Sequence, residues 1–164
     1  MPGPDFPFSN GIQFPIEPVV PRPGNDPFTL WHYRESRAPA ETVATLGADG
    51  GATASTYVSQ TLRWVKIGEE IFYTIRIILS AKGTFTGNVR IEGLPYPASF
   101  QSAATVGFWL VAVNKISVNA YVAAGETNIY LYGLAAAAAN PANLVNADIA
   151  NNSQFFVSGH YRVN

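Results

Sequence analysis

Residues 70–80 read EIFYTIRIILS, and this stretch decides the fold class. Every second position carries an apolar or aromatic side chain, whereas the positions between them are mixed. Because successive side chains of a strand point to opposite faces, the stretch predicts a β-strand with one fully apolar face. That face is predicted to carry Ile71, Tyr73, Ile75, Ile77 and Leu79. The mixed face is predicted to carry Phe72, Thr74, Arg76 and Ile78.

Six more segments have short apolar runs bounded by glycine, asparagine or proline. They are TLRWVKIG (61–68), FTGNVRIEG (85–93), TVGFWLVAV (105–113), ISVNAYVAA (116–124), TNIYLYG (127–133) and SQFFVSGHYRV (153–163). Strands of this length and spacing are typical of antiparallel sandwiches. We therefore predict an all-β fold, with an antiparallel β-sandwich or jelly-roll-like domain over residues 57–164. Tight turns are predicted at residues 67–70, around Gly68, and at residues 113–116, around Asn114.

Residues 1–28 hold eight of the twelve prolines, interleaved with aromatic and branched apolar residues. Proline fixes φ and lacks a backbone donor, so this segment is predicted to be extended. Its apolar side chains favour docking on a surface, either on the chain's own domain or, as we prefer, on a neighbouring subunit or larger particle. The candidate anchoring residues of this arm are Phe6, Phe8, Phe14, Ile16, Val19 and Phe28.

The rest of the first 56 residues is predicted to link the arm to the domain. A short helix is predicted over residues 37–46, because Ala40, Val43, Ala44 and Leu46 suit one helical face and Gly47 suits a helix end. A loop is predicted over residues 47–55. The organisation is therefore an arm and linker over residues 1–56 and a β-domain over residues 57–164.

Charge is scarce in this chain. Charged residues make up 13% and hydrophobic residues 48%, against about 25% charged in ordinary soluble domains. This favours burial of surface between copies of the chain. A net charge of −1 with no basic track argues against a nucleic-acid partner, and no apolar run suits membrane insertion. Without cysteine, neither disulfides nor cysteine metal sites are expected.

Candidate catalytic groups are few. His32 and His160 lie far apart in sequence, and His160 alternates with apolar residues as a polar-face side chain does. The adjacent Glu69 and Glu70 fall in a predicted turn and point to opposite faces. We therefore predict a non-enzyme with no catalytic residue, no metal site and no cofactor. The candidate binding residues are aromatics, which suit either a subunit interface or a platform for sugar rings. They are Trp109, Tyr121, Tyr130 and Tyr132.

Three motifs resemble the C-terminal β-domains of tailed-bacteriophage tail-fibre and receptor-binding proteins. The motifs are RWVKIGEEIFYTIRIILSAKGTFTGNVRIEGLPYPAS (63–99), TNIYLYG (127–133) and NADIANNSQFFVSGHYRVN (146–164). The resemblance covers residues 57–164 and implies a trimeric, β-rich protein on the virion surface, assembled in the host cytoplasm. It does not identify a receptor.

Residues 1–56 differ from the shaft regions that such fibres carry upstream. Two hypotheses follow. In the first, the arm anchors a homotrimer to other virion proteins and the β-domain attaches to a host-surface polysaccharide. In the second, the chain is a capsid decoration (cement) or head-fibre protein, whose arm stabilises the shell without binding a receptor. A third hypothesis, a hydrolase of host polysaccharide, lacks the pair of carboxylates that this chemistry needs.

Overall fold

A computed structural model describes residues 34–36, 43–135 and 140–164. The six anchoring residues proposed in the arm, from Phe6 to Phe28, lie outside the described residues. The described part contains ten β-strands and one 3-10 turn. They are β1 (Arg34–Glu35), β2 (Thr45–Ala48), β3 (Thr56–Ile67), β4 (Glu70–Ala81), β5 (Val89–Glu92), β6 (Ser102–Leu110), β7 (Ser117–Val122), β8 (Asn128–Leu134), β9 (Ala142–Asn143), the 3-10 turn (Asn146–Asp148) and β10 (Gln154–Arg162).

The strands form one antiparallel sheet in the order β1-β3-β4-β10-β6-β7-β8-β5-β2, with β9 paired to β8. The sheet curls into a half-barrel, and its inner face encloses a single core. The all-β antiparallel class is therefore confirmed, although the strands are hydrogen-bonded into one continuous sheet. The largest fully buried side chains are Tyr161, Phe155, Ile71, Ile77, Leu79, Ile91, Ile129, Leu131, Leu144, Ile149, Val89 and Val122.

The hairpin of β3 and β4 is the longest pairing in the sheet. Each strand has 12 residues, and Gly68 in the turn between them has a φ of 61°, which suits glycine. The predicted apolar face of β4 is buried at all five positions. The predicted turn at residues 67–70 and the predicted inward face of this strand are therefore both confirmed.

The helix predicted over residues 37–46 is wrong where the structure describes it. Val43 and Ala44 are not helical, and Thr45–Ala48 form β2, which pairs with β5. Ala44, Leu46 and Ala48 are buried, and this spacing of two residues is that of one face of a strand. Residues 37–42 lie outside the described residues. The core therefore includes residues of the predicted linker.

The tight turn predicted at residues 113–116 is also wrong. β6 ends at Leu110 and β7 begins at Ser117, so a longer loop joins them. Ala112 N–H donates to the Asp148 carbonyl at 2.7 Å, and Lys115 Nζ lies 2.8 Å from the Asp148 carboxylate. These contacts hold the loop against the 3-10 turn, which is distant in sequence. A prediction from the residues of the turn alone therefore misses them.

Candidate functional site

Three tyrosines form a row on the outer face of β7 and β8. Tyr121 and Tyr130 are cross-strand partners, and their rings stack with centroids 5.5 Å apart and planes 17° apart. The Tyr132 ring lies 6.0 Å from the Tyr121 ring. Tyr130 and Tyr132 alternate with the buried Ile129 and Leu131, as the sequence pattern predicts. We call Tyr121, Tyr130 and Tyr132 the tyrosine ladder.

Charged and amide groups adjoin the Tyr130 end of the ladder. Arg90 on β5 donates from Nη1 to the Tyr130 hydroxyl at 3.4 Å and from Nε to Glu92 at 2.8 Å. The Tyr130 hydroxyl donates to Glu126 Oε2 at 3.3 Å, and Asn128 donates to the same oxygen at 2.8 Å. This network fixes the position of Tyr130 and, through stacking, that of Tyr121.

The Tyr121 hydroxyl stays protonated at neutral pH. Burial raises the pKa of Tyr121 above its ordinary value, and the neighbouring Tyr130 and Glu126 raise this pKa further. A protonated hydroxyl both donates and accepts hydrogen bonds. The ladder therefore presents aromatic carbon together with neutral polar atoms.

A groove opens on the other side of Tyr121. One face of its ring is covered by Tyr130, and the opposite face is turned toward β6, where its cross-strand partner is Ala103. The small Ala103 side chain leaves space above this ring face. The groove has a volume of about 610 Å³ and is lined by Gln101, Ala103, Ala120, Tyr121, Tyr132, Pro141, Ala142 and Asn143.

Trp109 does not join this site. It pairs with Phe155 across β6 and β10, and its side chain packs against the core. The structure therefore brings together three of the four candidate aromatics, whereas the fourth is partly buried against the core. The groove residues Gln101, Ala103 and Asn143 were missed, because they lie beside Tyr121 and Tyr132 only after β6, β7, β8 and β9 have paired.

A second cluster of exposed aromatic side chains lies on the outer face of β4, β10 and β6. Phe72 and Phe108 are 47% and 45% exposed. The Phe72 and His160 rings lie 5.7 Å apart, and the Phe108 and Phe156 rings lie 5.2 Å apart. The Arg76 guanidinium lies 5.4 Å from the Phe156 centroid. We call Phe72, Phe108, Phe156 and His160 the aromatic outer face.

The charged groups elsewhere among the described residues form no recognisable catalytic arrangement. His160 is exposed on the outer face of β10, where its alternation with buried Tyr161 predicts it. Glu69 forms an exposed ion pair with Arg162 across the sheet. Among residues 34–36, 43–135 and 140–164, no group of three histidine, cysteine or acidic side chains is placed to hold a metal ion. The same residues include no helix long and apolar enough to cross a membrane.

Comparisons with known proteins give a structural match only. No protein-family model matches the chain, and no curated protein is significantly similar in sequence. The crystal structure of the Dettilon tailspike protein (gp208) superposes on 81% of this chain with a TM-score of 0.64 and 14% sequence identity. The chain spans only 24% of the length of that tailspike chain. At this identity the match shows a shared fold.

Proposed function

We propose that this chain is a bacteriophage virion protein of tail-fibre type that attaches to a host-surface glycan. The observation that carries the proposal is the Tyr121 ring, which is stacked on one face and open to a groove on the other. The fold shared with a phage tailspike supports the virion assignment. So does the resemblance of the YLYG and SGHYRV segments to tail-fibre domains.

The groove has the chemistry that sugar recognition needs. The C–H faces of a pyranose pack on an aromatic ring, and its hydroxyls pair with groups that both donate and accept hydrogen bonds. Tyr121 and Tyr132 supply the rings, while Gln101 and Asn143 supply amides. A few polar groups in an otherwise apolar concave site are typical of ligand pockets.

The glycan test uses the purified full-length protein on an array of bacterial surface polysaccharides. Tyr121→Ala and Tyr132→Ala are expected to abolish binding, whereas Val58→Ser, at an exposed position on β3, leaves it unchanged. The wild-type protein is also expected to compete with the phage for adsorption to host cells. Absence of both array binding and competition would contradict the proposed attachment role.

We further propose that the protein is a homotrimer that buries the aromatic outer face between copies. Exposed aromatic patches mark interaction surfaces, and the low charge of the whole chain favours such burial. Light scattering of the wild type is expected to give a trimer mass. The double variant Phe72→Ser with Phe108→Ser is expected to shift this mass toward the monomer. A monomeric wild type at micromolar concentration would overturn the trimer.

Capsid decoration is the second candidate function, and the composition of residues 1–28 favours it. A proline-rich chain interleaved with aromatic and branched apolar residues suits docking along neighbouring shell subunits. Both functions place the arm on other virion proteins, but they differ in location. Gold labelling of the β-domain on intact particles is expected on the tail for attachment and on the head for decoration. Head labelling with unimpaired adsorption of particles lacking the protein would favour decoration.

A further inference from the structure

We propose that the groove beside Tyr121 selects an uncharged sugar and discriminates against glycans that place a carboxylate or phosphate there. This inference rests on the proposed glycan attachment and names the ligand class. The groove lining contains two tyrosines and two side-chain amides, and none of its residues carries a charge. An acidic group entering it would lose water without gaining a cation as partner.

The charged residues nearest the ladder reinforce this preference. Arg90 is the cation of this cluster, and it is already bound to Glu92 and to the Tyr130 hydroxyl. The stacked Tyr130 and Tyr121 rings separate it from the groove. Together with Glu126, the cluster holds one positive and two negative charges. An anionic sugar in the groove would therefore lie near a cluster with a net negative charge.

The amides match sugar hydroxyls. Within the described residues, the Gln101 and Asn143 side chains take part in no hydrogen bond, so both are available to a ligand. Each amide offers two donors and an acceptor, and a hydroxyl offers one donor and two acceptor sites. A carboxylate is only an acceptor, so it would leave the amide oxygens without a partner. Unpaired polar groups weaken binding when they are desolvated.

Ala103 keeps the ring face of Tyr121 accessible. It is the cross-strand partner of Tyr121, and its side chain is exposed. A tryptophan at this position would lie over the ring and fill the groove. A lysine would place a cation beside the ring. Ala103 is thus the position at which both access and charge preference can be changed without altering the tyrosines.

The test measures binding of full-length protein to uronic-acid-containing bacterial polysaccharides, before and after chemical reduction of their carboxyl groups to alcohols. Calorimetry is expected to show at least about tenfold tighter binding to reduced forms. Ala103→Trp is expected to abolish binding. Ala103→Lys is expected to shift the preference toward the acidic forms, and the matched control Ala112→Lys, on the exposed loop after β6, is not.

Two results overturn the inference while leaving the proposed attachment intact. The first is equal binding of the acidic and reduced forms of the polysaccharide. The second is glycan binding that Ala103→Trp leaves unchanged, because the sugar would then occupy another surface. If no polysaccharide on the array binds and the protein does not compete with phage adsorption, the proposed attachment fails and the inference fails with it.

Discussion

At the scale of single residues, two buried tyrosines explain part of the closing SGHYRV segment. The Tyr73 hydroxyl is buried and has no hydrogen-bond partner within the described residues. It lies against Gly159, where a Cβ atom would come within 2.7 Å of the hydroxyl oxygen. Tyr161, two residues later, donates its hydroxyl to the Tyr96 carbonyl at 2.9 Å. Gly159 therefore provides space, and Tyr161 ties β10 to the loop after β5.

Removing each hydroxyl is expected to have opposite effects. Tyr73→Phe deletes an unpaired buried group and is expected to raise the free energy of unfolding by about 1 kcal/mol. Tyr161→Phe deletes a hydrogen bond and leaves the Tyr96 carbonyl unpaired, so it is expected to lower that free energy by about 1 kcal/mol. Urea unfolding of the two variants measures both. A loss of stability in Tyr73→Phe would show that its hydroxyl has a partner.

The same two tyrosines are expected to make the folding stability of the protein sensitive to alkaline pH. Burial raises the pKa of Tyr73 and of Tyr161 above the ordinary value near 10. In the unfolded chain these groups ionise near pH 10, whereas in the folded chain they stay protonated. The stability from this difference is fully present below pH 10 and is lost as pH rises through the folded pKa, by about 1.4 kcal/mol per pH unit for each group.

Denaturant unfolding between pH 8 and pH 11 checks this dependence. The wild type is expected to lose stability above about pH 10, and Tyr73→Phe is expected to lose it with a shallower slope. An identical slope in the two proteins would mean that Tyr73 ionises equally in the folded and unfolded chains.

At the scale of elements, every strand of six or more residues was predictable, and the strands that were missed have four residues or fewer. All seven predicted segments contain a strand of the structure, because at least part of each strand carries a buried face with period two. β1 and β9 have two residues each, and β2 has four. β1 and β9 show too few alternations to be recognised, and each pairs with a longer strand, β3 or β8. β2 pairs with β5, which has the same length but is recognisable because Val89 and Ile91 alternate with Arg90 and Glu92. The buried Ala44 and Leu46, beside and within β2, suit one face of the helix predicted over residues 37–46 as well as they suit a strand.

Gly93, after β5, allows β2 to pack at the end of this strand. Its φ is 110°, and a Cβ there would lie 2.7 Å from the Val43 carbonyl oxygen. Gly125 also has a positive φ, 75°, but a Cβ there would meet nothing within 4 Å. Gly125→Ala is expected to cost about 1 kcal/mol from backbone strain alone, and Gly93→Ala is expected to cost more. Chemical denaturation compares them, and equal losses would mean that Val43 moves aside freely.

The Lys115–Asp148 ion pair joins the loop after β6 to the 3-10 turn. Its side chains are 12% and 8% exposed, and Asp148 also accepts from the Val145 N–H at 3.0 Å. Asp148→Asn leaves the lysine charge nearly buried and is expected to cost about 3 kcal/mol. The control is Glu69→Gln, which breaks the exposed pair with Arg162 and is expected to cost less than about 1 kcal/mol. Thermal unfolding compares the variants, and equal losses would contradict the role of burial.

At the scale of the whole molecule, the site was only partly predictable. Alternation along β8 correctly predicts that Tyr130 and Tyr132 lie on the outer face of the sheet. The same reasoning does not predict that Trp109 in β6 packs against the core. In β6 the register with β10 shifts between Val106 and Phe108, which leaves Gly107 as an extra residue. One extra residue reverses the faces of the strand, so Phe108 turns outward and Trp109 turns inward. The groove lies beyond sequence analysis, because its residues come from strands that are distant in the chain.

The proposed separation of an N-terminal arm from the β-domain gives the last prediction. Within the part of the chain that the structure describes, the buried core extends from Ala44 to Val163. A variant that lacks residues 1–28 is therefore expected to keep the wild-type midpoint of thermal unfolding and the trimer mass. It is expected not to join the particle, because the proposed anchoring side chains are gone. Circular dichroism, light scattering and immunoblots of purified particles measure the three properties.

A matched variant keeps the length of the arm and changes only its apolar side chains, with serine at Phe6, Phe8, Phe14, Ile16, Val19 and Phe28. It is expected to behave as the deletion does, since docking depends on those side chains and not on the length of chain. If either variant unfolds at a lower temperature than the wild type, the arm stabilises its own domain. Incorporation of both variants into particles at wild-type levels would place the anchor elsewhere in the chain.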